Sequence, residues 1–400
     1  MSLSSADAHT RSSTDPGRAT LLLSAPFVAL LLTNVAFSFS FSTFFLLPKY
    51  MAQQLAAGPS QIGVVTTAFG VAMLLAVPVV GRLLDGSRNR AVIVLGCALQ
   101  ALCALGFVWV DSLGPAMLVL RCGQALAMSM FNNAASVIVA DLAPKGRLAQ
   151  ALGLFAGTGM VMTAVAPAFV EWLTERTSYR PAFAIASVAA SVAVLLAFRL
   201  DAGSSAHVQR SSLRAVLRRR SSLRMILVLA IAGLGFGVMF AFSQPFALEL
   251  GMQNVRGFFL AFAAAAVFVR VVLGASIDRI GARKVATVSL AAYGAVVLAM
   301  YTLQEGRLML LGGLFGLAHG LFIPAFTAFI VGNALPHERG KLMTLFNGAF
   351  NLGNCVVVLL GVLAERHGYR VVFAVSGLLI LASPTLMFGW PRPRGGPIHE

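Results

Sequence analysis

The sequence predicts an all-α membrane protein of twelve transmembrane helices, arranged as two six-helix bundles related by pseudo-symmetry. Hydrophobic residues make up 58% of the 400 residues and charged residues only 11%, whereas soluble domains contain about 45–50% and about 25%. Twelve apolar segments have lengths close to the roughly 20 residues that a helix needs to cross a bilayer. Several short motifs recur in the second half of the chain, which indicates that it duplicates the first half.

The apolar segments give the expected order of helices along the chain. In the first half the predicted spans are residues 24–46, 62–83, 91–110, 115–140, 148–172 and 181–199. In the second half they are residues 225–248, 257–277, 285–303, 308–332, 341–364 and 371–390. We therefore divide the chain into a tail (1–20), an N-terminal bundle (21–200), a basic linker (201–224), a C-terminal bundle (225–390) and a second tail (391–400).

Basic residues are concentrated on one side of the predicted membrane. The tails, the linker and the loops after even-numbered helices hold most of the 30 lysines and arginines. Because basic loops stay in the cytoplasm, both termini are expected there. Arginine far outnumbers lysine, which indicates GC-rich bacterial DNA and therefore a bacterial inner membrane. The arginine-rich linker is either a topology anchor or a surface for anionic lipid headgroups.

Composition and motifs argue against several other classes of protein. The net charge of +16 is compatible with nucleic-acid binding, but the sequence has no patch of interleaved cations and aromatics. The four cysteines lie in apolar segments without a CxxC or His/Cys cluster, so we expect neither disulfides nor a metal. The GxxxxGK(S/T) loop of an ATP-driven pump is absent, as are the acid clusters of a membrane enzyme. We expect a monomer in lipid, with no cofactor and no enzymatic activity.

One loop motif occurs twice, after the second and after the eighth predicted helix. The first copy comprises Gly81, Asp85, Arg88 and Arg90, and the second comprises Gly274, Asp278, Arg279, Gly281, Arg283 and Lys284. Glycine permits tight turns, and an aspartate at a helix end can meet the free N–H groups of a neighbouring helix. The basic residues favour the cytoplasm. The pattern resembles the signature loop of the major facilitator superfamily.

This resemblance extends over nearly the whole chain and implies a function. Members of the superfamily carry a substrate through a cleft between two bundles, which opens alternately to each side. By that resemblance helices one, four, seven and ten line the cleft, and Asp85 and Asp278 latch a cytoplasmic gate near Lys341 and Arg147. The sequence looks most similar to bacterial proton-coupled exporters of metabolites, drugs or siderophores. Two alternatives stay open: a proton-coupled uptake symporter for an organic anion or sugar, and a membrane sensor that transports nothing.

Three ionisable residues fall inside predicted spans, where a charge is costly and therefore indicates function. They are Arg121, Arg270 and His319. No aspartate or glutamate lies near the middle of a predicted span, so two arginines without acids suggest an anionic or zwitterionic solute. His319 is either the carrier of a coupling proton or a neutral group in a helix interface. Arg270 is near enough to the cytoplasmic edge for its side chain to reach water.

Polar residues share the face of Arg121 on the fourth predicted helix. Gln124 and Asn132 follow it at helical spacing. Arg121 and Gln124 resemble the superfamily's second motif, R-x-x-Q, whose arginine is associated with proton coupling or with hydrogen bonding between helices. Both roles stay open for Arg121.

Amide side chains line two further predicted helices. Asn347, Asn351 and Asn354 form a stripe on the eleventh, and Asn34 begins a face with several phenylalanines on the first. Relatives often carry an aspartate where Asn351 stands, so this chain lacks that proton site. The amides either bind a polar substrate or bridge helices.

Overall fold

The part of the chain that the structure describes consists of helices joined by short turns. In this computed structural model it comprises residues 24–84, 89–144, 147–200, 220–273, 280–333 and 339–388. Eleven helices within it are long and apolar enough to cross a membrane. In the predicted eighth span a 13-residue apolar helix, Arg256–Phe268, continues as a π-helix, Val269–Leu273. The prediction of an all-α fold with twelve membrane helices is confirmed.

We number the helices by span. They are α1 (Ala25–Gln54), α2 (Pro59–Leu84), α3 (Asn89–Gly106), α4 (Pro115–Leu142), α5 (Leu148–Thr174), α6 (Tyr179–Ala197), α7 (Arg220–Glu249), α8 (Arg256–Phe268), α9 (Ala282–Ala299), α10 (Arg307–Gly332), α11 (Arg339–Asn354 and Val357–His367) and α12 (Tyr369–Ala382). α1 passes through a 3₁₀ turn at Phe44–Leu46, and α11 is interrupted between its two segments. Both irregularities lie beside the central cavity described below.

The two halves of the chain pack internally in the same way. In the first half α1 contacts α5 and α6, α2 contacts α4, and α3 contacts α4 and α6. In the second half α7 contacts α11 and α12, α8 contacts α10, and α9 contacts α10 and α12. The second pattern is the first with every helix number raised by six, so the duplication seen in the sequence produces two equivalent bundles.

The bundles meet along two helix pairs, α2 with α11 and α5 with α8. Each pair joins the second helix of one half to the fifth helix of the other half. A twofold rotation that exchanges the bundles therefore exchanges the two pairs. This relation confirms the predicted pseudo-symmetry.

Consecutive helices run in opposite directions, which gives the molecule two ends. We call the end that carries Ala25 and the last residues of α12 the terminal end. The opposite end, with the turns that follow the odd-numbered helices, is the far end.

Small residues let neighbouring helices approach closely. Gly312, Gly316 and Gly320 of α10 face α8 at a spacing of four residues. A Cβ atom added to Gly312 would lie 2.6 Å from the carbonyl oxygen of Phe258 and 2.9 Å from its Cα. Because lipid tails are as apolar as the side chains, helix association in a bilayer depends on such close packing.

A valine at Gly312 is expected to destabilise the C-terminal bundle. Its side chain would press against the α8 backbone, and overpacking of this kind costs about 1–3 kcal/mol. The thermal unfolding midpoint of the detergent-solubilised Gly312→Val protein should fall below that of the unmodified protein. Gly153→Val is the matched control, since a Cβ on Gly153 of α5 meets nothing within 4 Å. Equal midpoints for the two variants would contradict this account of the packing.

Candidate functional site

A cavity of about 90 Å³ lies between the bundles, in the half of the molecule nearer the far end. α1, α2 and α4 line one side, and α7 and α11 line the other. The lining residues are Phe41, Phe44, Phe45, Pro48, Thr66, Phe69, Arg121, Phe236, Gly237, Phe240, Ala241 and Asn354. Both helix irregularities lie here, because Phe44 and Phe45 are in the 3₁₀ turn and Asn354 ends the first segment of α11.

Arg121 is the charged residue in this lining. Its Nη1 donates a hydrogen bond to Gln124 Oε1 at 2.8 Å, and its guanidinium carbon lies 4.8 Å from the centre of the Phe69 ring. Its Nε is buried and has no hydrogen-bond partner among the described residues. Gln124 is itself buried, so the structure brings these two predicted residues together, with Gln124 orienting the guanidinium.

A buried ion pair closes the far end. Lys49 of α1 and Glu171 of α5 are bonded to each other, and their side chains are only 5% and 1% exposed. Lys49 Nζ also donates to the carbonyl oxygen of Gln253 at 2.7 Å. The amide of Val255 donates to both carboxylate oxygens of Glu171, at 2.8 and 3.1 Å. Because Gln253 and Val255 lie in the turn between α7 and α8, these four residues tie the bundles together, and we call them the far-end lock.

A more exposed layer of contacts surrounds the far-end lock. Glu175 accepts hydrogen bonds from Arg256 at 3.4 Å and from Asn254 at 3.1 Å. Ser60, at the start of α2, donates to Glu365, at the end of α11. Exposed pairs contribute about 0–1 kcal/mol each, whereas removing one partner of a buried pair costs about 3–5 kcal/mol.

The spacing between the bundles increases toward the terminal end. A Cβ on Gly63 of α2 would lie 3.0 Å from Val358 Cα, and one on Gly70 would lie 3.2 Å from Asn354 Cβ. A Cβ on Gly81, further along α2, meets nothing within 4 Å. Asn347 of α11, toward the same end, is exposed. The described residues therefore close the cavity at the far end and leave it accessible from the terminal end.

The predicted gate residues have structural roles in the part of the motif that the structure describes. Arg90, near the start of α3, donates to the carbonyl of Phe198 after α6. Arg283, near the start of α9, donates to the carbonyl of Met387 after α12. Basic side chains stabilise the free carbonyls of a helix C-terminus. These equivalent arginines thus join the third and sixth helices within each bundle, whereas the resemblance had placed them at a gate between bundles.

The remaining residues of the loop motif have separate outcomes. Gly281 precedes α9 with φ +98°, a conformation that glycine adopts without strain, whereas Gly81 lies inside α2. Lys284 borders a groove of about 650 Å³ whose other lining residues are nearly all apolar. Because exposed Val288 and Ile280 also line that groove, we assign it to the lipid-facing surface. Five further predicted gate residues lie outside the described residues: Asp85, Arg88, Gly274, Asp278 and Arg279.

His319 lies in a cluster of aromatic rings beside the cavity. Its ring centre is 5.0 Å from that of Phe236 and 5.7 Å from that of Tyr293. Phe262, Phe315 and Phe350 lie 5.8–6.1 Å away. Its Nδ1 is buried without a hydrogen-bond partner among the described residues. His319 does not line the cavity, but Phe236 contacts both.

The predicted amides have different environments. Asn34 is buried and donates to the Phe155 carbonyl at 2.7 Å and to Thr158 Oγ1 at 2.8 Å, so it joins α1 to α5. Asn351 donates to the carbonyl of Asn347 within α11 at 2.9 Å. Only Asn354 of the stripe reaches the cavity.

Arg270 and Asn132 lie away from the cavity lining. Arg270 is exposed on the π-helix that follows α8. Asn132 is half-buried on α4, about 16 Å along the helix from Arg121 at 1.5 Å per residue.

The far-end lock is the part of the site that the sequence did not predict. Lys49 and Glu171 are 122 residues apart, and each stood at an expected membrane edge, where charges are common. The available signal was a pair of opposite charges at the same membrane depth. It becomes informative only once α1 and α5 are known to be neighbours.

Two pseudo-symmetric membrane bundles around a cavity that is closed at one end define a transporter. The sequence model of the Major Facilitator Superfamily matches residues 28–303 and 257–399. The chain belongs to this superfamily.

Similar proteins include several transporters. The multidrug resistance protein MdtG of Salmonella paratyphi A is 25% identical over 379 residues, which cover 90% of this chain and 92% of the relative. Among solved structures, the nucleoside transporter NupG has a TM-score of 0.75 at 14% identity, covering 92% of this chain and 100% of its own. The human organic anion transporter MFSD10 has a TM-score of 0.67 at 16% identity, covering 90% and 98%. These structural similarities establish the fold.

Neutralising Glu171 is expected to open the far end. In the closed state Glu171→Gln leaves Lys49 buried without its counter-charge, a loss of about 3–5 kcal/mol for a buried pair. Cysteines that replace Ser60 and Glu365, which bond across the bundles, report closure through a short bifunctional thiol reagent. The measurement uses a background in which the four native cysteines are changed to serine. In that background Glu171→Gln should lower the cross-linking yield between positions 60 and 365.

Two controls test whether the unpaired charge on Lys49 causes the loss of closure. Glu175→Gln alters an exposed pair and should leave cross-linking unchanged. The double variant Lys49→Met/Glu171→Leu removes both charges together and should restore closure, since apolar replacements of a buried pair are often tolerated. Full cross-linking in Glu171→Gln alone would show that the lock does not hold the far end closed.

Proposed function

We propose that this chain exports small organic solutes across a bacterial inner membrane by alternating access, with protons as the coupling ion. The observation that carries the proposal is the cavity between the bundles, sealed by the far-end lock and accessible from the terminal end. A solute enters from the open end, and the bundles then part at the far end to release it. The two states exchange through the α2–α11 and α5–α8 interfaces.

Charge distribution supports the assignment of the two ends. Basic loops are retained in the cytoplasm, and they follow the even-numbered helices, so the terminal end faces the cytoplasm and both termini lie there. The described state is then the one in which an exporter loads its solute. The similarity to a multidrug resistance protein supports export.

The cavity also favours a particular charge of solute. Arg121 supplies a positive charge, and no carboxylate lines the cavity among the described residues. An anionic or zwitterionic solute would offset the cost of keeping that charge away from water. His319, the histidine beside the cavity, is the candidate for the coupling proton because imidazole titrates near neutral pH.

Flux into everted membrane vesicles tests this function. Vesicles from a bacterial host are given an acidic interior, and solute-dependent proton release is followed with a pH-sensitive dye. The panel contains organic acids, siderophores and cationic drugs. Proton efflux that depends on the protein and on an added anion supports export.

The same assay distinguishes the alternatives. Accumulation only in right-side-out vesicles with an inward proton gradient would indicate an uptake symporter, because alternating access opens the cavity to each side in turn. An absence of flux for every solute in both orientations would indicate a sensor. Both results would reject proton-coupled export.

Replacement of His319 is expected to uncouple transport from protons. His319→Ala should abolish transport driven by a pH gradient but leave exchange of labelled for unlabelled solute intact, because exchange needs no net proton movement. His367→Ala is the control, since His367 is an exposed residue at the far end of α11. Gradient-driven transport at the unmodified rate in His319→Ala would exclude His319 as the proton carrier.

A further inference from the structure

We propose that the central cavity binds small aromatic carboxylates, with the carboxylate on Arg121 and the aromatic ring among the phenylalanines. This assignment rests on the proposed transport function and specifies its substrate class. It follows from the charge, the ring arrangement and the size of the cavity.

The charge of the cavity calls for one anionic group. A guanidinium has five N–H donors in a planar fork that matches a carboxylate. Gln124 takes one donor of Arg121, and the buried Nε has no partner among the described residues. Lys49 and Glu171 lie closer to the far end and are bonded to each other. A ligand carboxylate would therefore supply the counter-charge that the described cavity lacks.

The walls of the cavity call for an aromatic ring. Phe41 and Phe69 have ring centres 5.8 Å apart, and Phe236 stacks on Phe240 at 4.3 Å. Phe45 meets Phe240 edge to face at 5.0 Å, across the bundle interface. Aromatic rings interact favourably in such offset and edge-to-face arrangements, beyond simple apolar burial. A ligand ring fits this shell better than an alkyl chain of equal size.

The geometry places the two ligand groups next to each other. The Arg121 guanidinium lies over the Phe69 ring at 4.8 Å, so an anion on Arg121 carries its attached ring toward the phenylalanines. The cavity of about 90 Å³ excludes a second ring. A single ring, which needs roughly 150 Å³, extends from it toward the open terminal end. Thr66 and Asn354 are the other polar side chains in the lining, and either can bond a hydroxyl on that ring. Hydroxybenzoates have this combination of groups.

Equilibrium binding to the purified, full-length protein in detergent tests the assignment. The probe is 4-hydroxybenzoate, measured by isothermal titration calorimetry. We expect 4-hydroxybenzyl alcohol, which lacks the charge, to bind about 30-fold or more weakly, since an unpaired buried charge is left behind. Cyclohexanecarboxylate keeps the charge without the aromatic ring and should bind about two- to tenfold more weakly than benzoate.

Variants of the cavity provide the second part of the test. Arg121→Gln should weaken 4-hydroxybenzoate binding about 30-fold or more and leave binding of the neutral alcohol unchanged. Phe69→Leu should reduce the preference for benzoate over cyclohexanecarboxylate. Arg180→Gln is the charge-matched control, because Arg180 is exposed and paired with Asp111, and it should bind normally. The thermal unfolding midpoint of each variant verifies that it is folded.

The outcomes separate this assignment from the transport proposal. Absent binding of 4-hydroxybenzoate, equal binding of the alcohol, or unchanged binding in Arg121→Gln would each overturn the assignment. Vesicle transport of other solutes would then still support the proposed function. Conversely, selective binding without flux in either vesicle orientation would retain the aromatic carboxylate site and reject transport.

Discussion

The closed state of this protein depends on the pairing of Lys49 with Glu171, because neither charge can be buried at the far end without the other. Removing two charges from water is costly, and a buried pair is stable only when its remaining hydrogen-bonding capacity is also satisfied. Here the Gln253 carbonyl and the Val255 amide supply those bonds. When the bundles part, both charges regain water, so the net free energy of the pair stays small. A gate that opens and closes repeatedly requires states that differ by only a few kcal/mol.

Duplication explains the exposed contacts around the far-end lock but not the far-end lock itself. Glu175-Arg176 and Glu365-Arg366 hold equivalent places before the equivalent tyrosines at 179 and 369. Each glutamate bonds the start of the second helix of the opposite half. In the same alignment of the two halves, the residue equivalent to Glu171 is Gly361. A Cβ atom on Gly361 would lie 2.6 Å from the Pro59 carbonyl oxygen. One interface is thus closed by charge and the other by backbone packing.

Pairs within one helix were predictable from spacing alone. Arg121 and Gln124 are three residues apart, so they share a face in any α-helix, and the structure joins them by a hydrogen bond. The amide stripe of α11 was visible for the same reason. Its division of roles was not, because Asn354 reaches the cavity while Asn347 is exposed. That difference arises because Asn347 lies about 10 Å nearer the terminal end, where the bundles are further apart.

The sequence by itself determined the membrane class, the number of helices and the twofold repeat. A helix that crosses a bilayer must be long and apolar, with its backbone groups satisfied internally. The length and composition of each segment show whether it meets this requirement. Only the tertiary structure decided which charges pair and which end is closed. Lys49 meets Glu171 across 122 residues, and Asn34 holds α5 rather than a solute. Such contacts depend on which helices are neighbours, and helix adjacency is a property of the packed bundles rather than of any single segment.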